Sequence, residues 1–321
     1  MSEALETTLL LIPGAWHLPS CYETLITHLK TTHNLSSTTI TFPTTSGDPN
    51  ATFSDDYNTA RTTLISLLAS PKNVVVIAHS YGGMVASSAI KNLTSSPSSS
   101  SSSNDPQNPK GSVTGLILIT SGFTLTGLTF MDHTFNIPPP AWRPNPQTGF
   151  ADLALPPTHL FYHDVPPVDA ARAVAQLRPQ SLKALYEGRD VAYAGWRDVP
   201  WCLYVGASDD RALPVFVQRF SVGFARGVLG RAGRGRIAHV EMETSHSPFL
   251  SQAEVLACVV AKAVEAGGKE VEWDGEKGVS VPRVRLGMVA GWWRFGVPLV
   301  LGYLIGKVVV VCQWFRRVFW G

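Results

Sequence analysis

A chain of 321 residues is long enough to bury a full core, as one large α/β domain or two small ones. Its 26 Lys and Arg against 24 Asp and Glu leave a net charge of +2, which argues against an extended nucleic-acid surface. Cys21, Cys202, Cys258 and Cys312 lack C-x-x-C spacing, so neither a zinc site nor a disulfide framework is indicated, and the polar, acidic start Met1 to Thr8 is no signal peptide. These features fit reduced, intracellular surroundings.

In chain order, Thr7 to Ile12 reads as a buried strand ending in the tight loop Pro13-Gly14-Ala15-Trp16-His17. Pro19-Ser20-Cys21-Tyr22-Glu23 has the form of a capping box and predicts a helix from Ser20 to about Lys30. Ser37 to Phe42 is β-branched and strand-like. Ser54-Asp55-Asp56 starts a helix whose apolar stripe is Tyr57, Ala60, Leu64, Leu67 and Leu68.

Val74-Val75-Val76-Ile77-Ala78 then reads as a fully buried strand, followed by His79-Ser80-Tyr81-Gly82-Gly83 and a helix opening at Met84. This strand–turn–helix setting is that of a nucleophile elbow, which holds a Ser on a sharp turn above a sheet. Strand and helix backbones crowd together there, so the positions two before and two after the Ser must be small. They are Ala78 and Gly82.

Ser95 to Ser103 is a low-complexity stretch, and a disordered loop is expected over 95–110. Val113 to Thr120 resumes as a core strand, and the alternation of strand and helix implies a mostly parallel sheet with helices on both faces. Proline-rich, aromatic Phe123 to Arg197 breaks that rhythm and reads as a cap folded over the sheet's top edge. Trp201 to Val205 is a strand, followed by Asp209 and Asp210. Pro214 to Phe224 is helical, Ile237 to Met242 a strand, Thr244 to Pro248 its following loop, and Ser251 to Ala266 a closing helix. The expected organisation is a domain over 1–267, a linker over 268–285 and a hydrophobic tail over 286–321.

Phe295 to Phe315 in that tail carries one charge, Lys307, in 21 residues, enough to cross a hydrocarbon layer of ~30 Å. Lys307 near its middle costs about 2.5–3.5 kcal/mol on insertion scales. Trp292, Trp293, Trp314 and Trp320 with flanking Arg resemble interfacial anchors, and Gly302-x-x-x-Gly306 has the form of a helix-dimer face. A membrane-spanning helix, an in-plane membrane helix and a helix packed on the folded domain are all compatible with this segment. The Gly-interleaved cluster Arg226, Arg231, Arg234, Arg236 reads as a solvated loop.

A Ser hydroxyl needs a base to take its proton, and a His serves as that base when a carboxylate holds its other nitrogen. On an open parallel sheet such groups sit in loops at the carboxyl ends of strands. Ser80, Asp209 or Asp210, and His246 each follow a predicted strand, in the order Ser…Asp…His. Backbone N–H groups of Tyr81 and of Ala15, in the turn opened by Gly14, are placed to form an oxyanion hole.

With these pieces on hand the chain resembles the α/β-hydrolases of the plant methyl-ester esterase and hydroxynitrile lyase branch and their fungal and bacterial relatives. The resemblance rests on Leu11-Ile12-Pro13-Gly14-Ala15-Trp16-His17, Ala78-His79-Ser80-Tyr81-Gly82-Gly83, Asp210-Arg211-Ala212-Leu213-Pro214 and His246-Ser247-Pro248-Phe249-Leu250. It implies the α/β-hydrolase fold, and it implies Asp210 in preference to Asp209 as the acid, beside Ser80 and His246. Gly14 and Ser247 stand where the lyases of the branch carry a Thr and a Lys, which favours ester hydrolysis. The sequence implies no cofactor. Lyase or cyclase chemistry on the same site, and a non-catalytic binding module tethered to a membrane, are the alternatives. His17, Phe123, Trp142, Phe161 and Trp196 are candidate substrate-pocket residues, with Tyr162 beside them; core packing explains the aromatics equally well. His159-x-x-x-His163 has metal-ligand spacing but no third ligand, and reads as cap packing.

Overall fold

The computed structural model describes residues 6–94, 110–230, 236–273, 277–282 and 289–319. β1 (Thr7–Ile12) leads into a 3₁₀ turn (Pro19–Tyr22) and α1 (Glu23–His33). The capping box expected at Ser20 does not form, because Ser20 Oγ donates instead to Gln176 Oε1 at 2.8 Å, far along the chain. β2 (Ser36–Thr39) follows, and then α2 (Phe53–Leu68), whose start lies one residue before the expected one. Here a capping box does close: Thr52 Oγ1 accepts from Asp55 N and Asp55 Oδ2 accepts from Thr52 N. β3 (Asn73–His79) ends at the turn into α3 (Gly82–Ala89), and β4 (Ser112–Ile119) comes next.

Between β4 and the next strand of the main sheet lies a long insertion. It contains β5 (Trp142–Asn145), β6 (Phe150–Leu153) and β7 (Gln180–Ser181), which form a separate antiparallel sheet, with short α4 (Pro157–Leu160), α5 (Pro167–Gln176) and α6 (Lys183–Tyr186). The main fold resumes with β8 (Trp201–Ala207), α7 (Val215–Leu229), β9 (Arg236–Met242), α8 (Pro248–Ser251) and α9 (Ala253–Ala266). α7 runs past the expected end at Phe224 to Leu229. Residues 268–285, read as a linker, contribute β10 (Val279–Ser280), which pairs antiparallel with β9. Residues 95–109, which include the low-complexity stretch, together with Arg231, Arg234 and Trp320, lie outside the described residues. Arg226 sits on α7 and donates to Ile237 O.

The seven-stranded sheet has the order β10-β9-β8-β4-β3-β1-β2, and every pair but β10–β9 is parallel. Strand alternation splits its side chains between two cores. Leu10, Ile12, Val74, Val76, Leu116 and Leu118 face α2, α3 and α7, while Leu9, Leu11, Val75, Ile77, Ile117 and Leu203 face α1 and α9. Each such fully buried side chain contributes roughly 1.5–3 kcal/mol. The chain leaves β1 for one edge through β2, then crosses back to β3. Strand order therefore reverses between β1 and β3, the place where open α/β sheets form crevices beyond their carboxyl ends.

A last helix closes the described chain: α10 (Val289–Gly291), a π-helical turn (Trp292–Gly296) and α11 (Val297–Phe319). Pro298 cannot donate an N–H to the turn before it, and the π turn takes up that irregularity.

This end of the sheet depends on close approach of backbones. A Cβ on Gly82 would lie 2.2 Å from Pro13 O, and one on Gly83 would lie 2.1 Å from Ser121 Oγ. Gly82→Ala is therefore expected to destabilise the fold by about 3 kcal/mol or more, read as a lower denaturant midpoint. An unchanged midpoint would contradict the close packing of α3 on the β1 loop.

Candidate active site

Ser80 stands between β3 and α3 with φ +50°, a left-handed conformation that a non-glycine residue rarely adopts. Its backbone is held from three sides. Ser80 N donates to Ile119 O at 3.0 Å, Ser121 Oγ donates to Ser80 O at 2.6 Å, and Gly83 N also donates to Ser80 O. The side chain is half-buried. The Gly14 turn passes directly over it: a Cβ built on Gly14 would fall 3.2 Å from Ser80 Cβ and 2.6 Å from His79 Nδ1. Ala15 and Tyr81 thus flank Ser80 from two loops.

His246 lies in the loop after β9 and is buried. Its backbone oxygen accepts from His79 Nε2 at 3.1 Å and from Thr120 Oγ1 at 3.2 Å, so residues adjoining the ends of β3 and β4 fix its place. The His79 and His246 rings are 4.6 Å apart. His246 Nδ1 donates to Asp210 Oδ2 at 2.7 Å. Asp210, buried in the loop after β8, also accepts from Ala212 N and Leu213 N on Oδ1 and from Gln218 Nε2 on Oδ2. Gln218 is held in turn by Ala207, whose N–H donates to Oε1. Asp209 faces away and pairs with His163 Nε2 at 2.9 Å.

The two other histidines at this edge are neutral. Burial lowers the His17 pKa to about 4 and drives that of His79 well below the usual imidazole value, with the neighbouring histidines adding to the effect. His17 Nδ1 donates to Ala15 O at 2.7 Å, which leaves Nε2 to accept from Tyr162 OH at 2.9 Å. Both ring nitrogens of His17 are therefore engaged, Nδ1 within the β1 loop and Nε2 with the insertion.

The five candidate pocket residues divide. Phe161 packs 5.6 Å from the His246 ring and 5.4 Å from His17, and Trp16 bridges Phe161 and Trp142 at 6.2 and 6.4 Å. Phe123 and Trp196 pack on each other and, through Phe123, on Tyr204 within the core. His159 Nδ1 meets Arg211 Nη1 and His163 meets Asp209, so the two histidines tie the insertion to the loop after β8 rather than meeting each other. Among the described residues no cluster of His, Cys, Asp or Glu could hold a metal ion.

Sequence reasoning missed the support beneath Tyr81. Its hydroxyl donates to Asp56 Oδ2 at 2.8 Å, and Thr44 donates to the same carboxylate through both N–H and hydroxyl. Phe42, Phe53 and Phe130 surround the Tyr81 ring. A signal was present: Asp56 sits four residues before Ala60 and eight before Leu64, a carboxylate on a buried stripe. Gln218 and Thr120 gave no such sign.

Residues 9–257 match the model of the alpha/beta hydrolase family. Among curated relatives, the alpha/beta hydrolase nvfD of Aspergillus novofumigatus (strain IBT 16806) is 25% identical over 276 residues, covering 84% of this chain and 99% of the relative. Among solved structures, a pyrethroid hydrolase from Sphingobium faniae JZ-2 superposes with a TM-score of 0.57 at 22% identity, covering 82% of this chain and 98% of that one. A methylesterase protein from Arabidopsis gives a TM-score of 0.54 at 19% identity, covering 81% and 99%. At these identities the two structures show a shared fold.

Burial raises the Asp56 pKa from 3.8 to about 7 against the pull of its three donors. Unfolded Asp56 ionises near 3.8 while the folded group holds its proton to about 7, so its contribution to stability falls as pH rises across that window. The loss amounts to about 4 kcal/mol. Asp56→Asn is expected to flatten this part of the stability profile in chemical denaturation between acid and neutral pH. An unchanged slope would remove Asp56 as its source.

Proposed function

The chain belongs to the alpha/beta hydrolase family, and from that premise we propose that it is a serine hydrolase cleaving a carboxylic ester of a small, apolar molecule. The observation that carries this reading is the Asp210–His246 hydrogen bond, with the His246 ring 4.6 Å from that of His79, the residue directly before left-handed Ser80 at the end of β3. With Nδ1 donating to Asp210, His246 keeps the Nε2 lone pair free to act as a base. In the proposed reaction Nε2 takes the Ser80 proton as Oγ attacks the ester carbonyl carbon. The N–H groups of Ala15 and Tyr81 receive the negative charge on the carbonyl oxygen. His246 then returns the proton to the departing alcohol. Water, activated by the same nitrogen, cleaves the acyl-enzyme and restores Ser80.

The preference for an apolar ester is supported by Phe161, Trp16 and Trp142 close to the cleft, and we assign residues 123–197 the role of a cap over it. Gly14 and Ser247 fit the esterase side of the branch named above. The hydrolase and methylesterase that share the fold lend ester cleavage support by analogy. The apolar helix Trp292–Gln313 supports attachment to a membrane.

A fluorophosphonate probe is expected to label the wild-type protein at Ser80. Ser80→Ala should lose the label and at least ~10³-fold of ester turnover. Turnover persisting in that variant would overturn the mechanism. Asp210→Asn should lower kcat by ~10²–10⁴-fold by removing the acceptor that sets the His246 tautomer, whereas Asp209→Asn should stay within about threefold of wild type. The reverse pattern would move the acid to Asp209.

A further inference from the structure

The apolar C-terminal helix is packed along the folded domain. α11 runs parallel to α7, and their contacts advance in step: Arg219 meets Arg294 and Phe295, Gly223 meets Leu299, and Gly227 meets Tyr303. The approach is backbone to backbone from both sides. A Cβ on Gly223 would lie 2.1 Å from Leu299 O, and one on Gly227 would lie 2.2 Å from Tyr303 O. Conversely, a Cβ on Gly302 would lie 2.1 Å from Phe220 O, and one on Gly306 would lie 2.3 Å from Phe224 O. Two Gly-x-x-x-Gly motifs thus interlock within one chain, where such motifs commonly join separate membrane helices.

One face of the candidate span Trp292–Gln313 is therefore occupied by a helix of the hydrolase domain. Lipid cannot surround that segment while α7 is in place, because α7 brings the buried Arg219–Glu241 ion pair and the main sheet with it. The opposite face is exposed and apolar, through Trp293, Leu301, Leu304, Val308, Val311 and Phe315. Residues 277–321 carry seven Lys and Arg and no Asp or Glu. A second copy presenting the same charges would be repelled, whereas an anionic lipid surface would be attracted.

We propose that α11 is a docked strap: it stays locked to α7 by the reciprocal glycine contacts and lays its outer face, in plane, on an anionic bilayer without crossing it. This deepens the membrane attachment proposed above and rests on it. α7 begins five residues after Asp210, so a strap fixed to α7 holds the lipid surface in a set orientation to the cleft.

The test is hydrogen exchange of residues 219–228 in the full chain, free and bound to vesicles of phosphatidylcholine with phosphatidylserine. Gly302→Leu/Gly306→Leu supplies the undocked reference, expected to exchange at least about tenfold faster there. Fluorophosphonate labelling of Ser80 checks that this variant folds, and Gly302→Ala/Gly306→Ala replaces it if it does not. Exchange in vesicle-bound wild type equal to that of the free protein supports the strap. Exchange rising to the undocked level overturns it while leaving membrane attachment standing. Failure of wild type to bind the vesicles overturns the attachment itself. Lys307→Glu is expected to weaken binding by about fivefold or more, and phosphatidylcholine alone to bind more weakly still; binding indifferent to both changes would overturn the anionic partner.

Discussion

The left-handed backbone at Ser80 is the constraint on which the rest of this molecule depends. It is one of three. Trp16, Ser80 and Thr120, with φ of 63°, 50° and 42°, follow β1, β3 and β4, which are neighbours at the centre of the sheet. Each such conformation costs on the order of 1–3 kcal/mol and persists only where its surroundings over-determine it. Here they do. Thr120 N donates to Val205 O, Ser80 N to Ile119 O, and Arg178 N to Trp16 O. The strands are turned sharply at one edge, and their last residues are handed on to partners one strand over or in the insertion. Ser80, Asp210 and His246 then each leave from a loop at that edge.

Electrostatics follow from the same crowding. Three histidines pack at the edge, and an imidazolium at any of them would raise the cost of one at the others. His17 and His79 are kept neutral by burial, with their tautomers set by Ala15 O and His246 O. His246 alone of the three donates to a carboxylate, so positive charge developing there has a counter-ion in place. Two neutral histidines beside one carboxylate-backed histidine support the role of base proposed for His246.

Much of this was legible in the sequence, and the failures have physical causes. The run Val74 to Ala78, the small residues flanking Ser80, and the polar residues following two further apolar runs disclose the elbow and the loops, because local periodicity and turn chemistry fix them. Long-range partners are what a single sequence hides. Ser20 has the spacing of a helix cap but spends its hydroxyl on Gln176 in the insertion, while Thr52, two residues before the expected helix start, makes the cap. Asp56 was overlooked because its donors, Thr44 and Tyr81, come from separate loops. Gly302-x-x-x-Gly306 was recognisable, but its partner was not: a helix ending at Phe224 excludes Gly227, and so half of the matching motif.

The helix beyond the linker is bound into the electrostatics of the sheet. Arg219 Nε and Nη2 grip Glu241 in a two-pronged pair, both residues nearly free of solvent, and Nη1 donates to Arg294 O at 2.8 Å while Phe295 covers the guanidinium. A buried ion pair is stabilising only where its remaining donors are met and water is kept out. The acceptor for the third donor and part of the cover come from the tail. His239 Nε2, 3.4 Å from Glu241 Oε1, adds no charge to help, because burial and the charges of Arg226 and Arg219 hold its pKa well below the usual imidazole value. Pulling the tail helix and its π turn away would therefore strip cover and a hydrogen bond from a charge pair that joins α7 to β9, a cost that a freely hinged membrane anchor would not carry. The same interaction that seats the tail thus opposes its release, and the apolar face turned outward is the part that the proposed strap would offer to lipid.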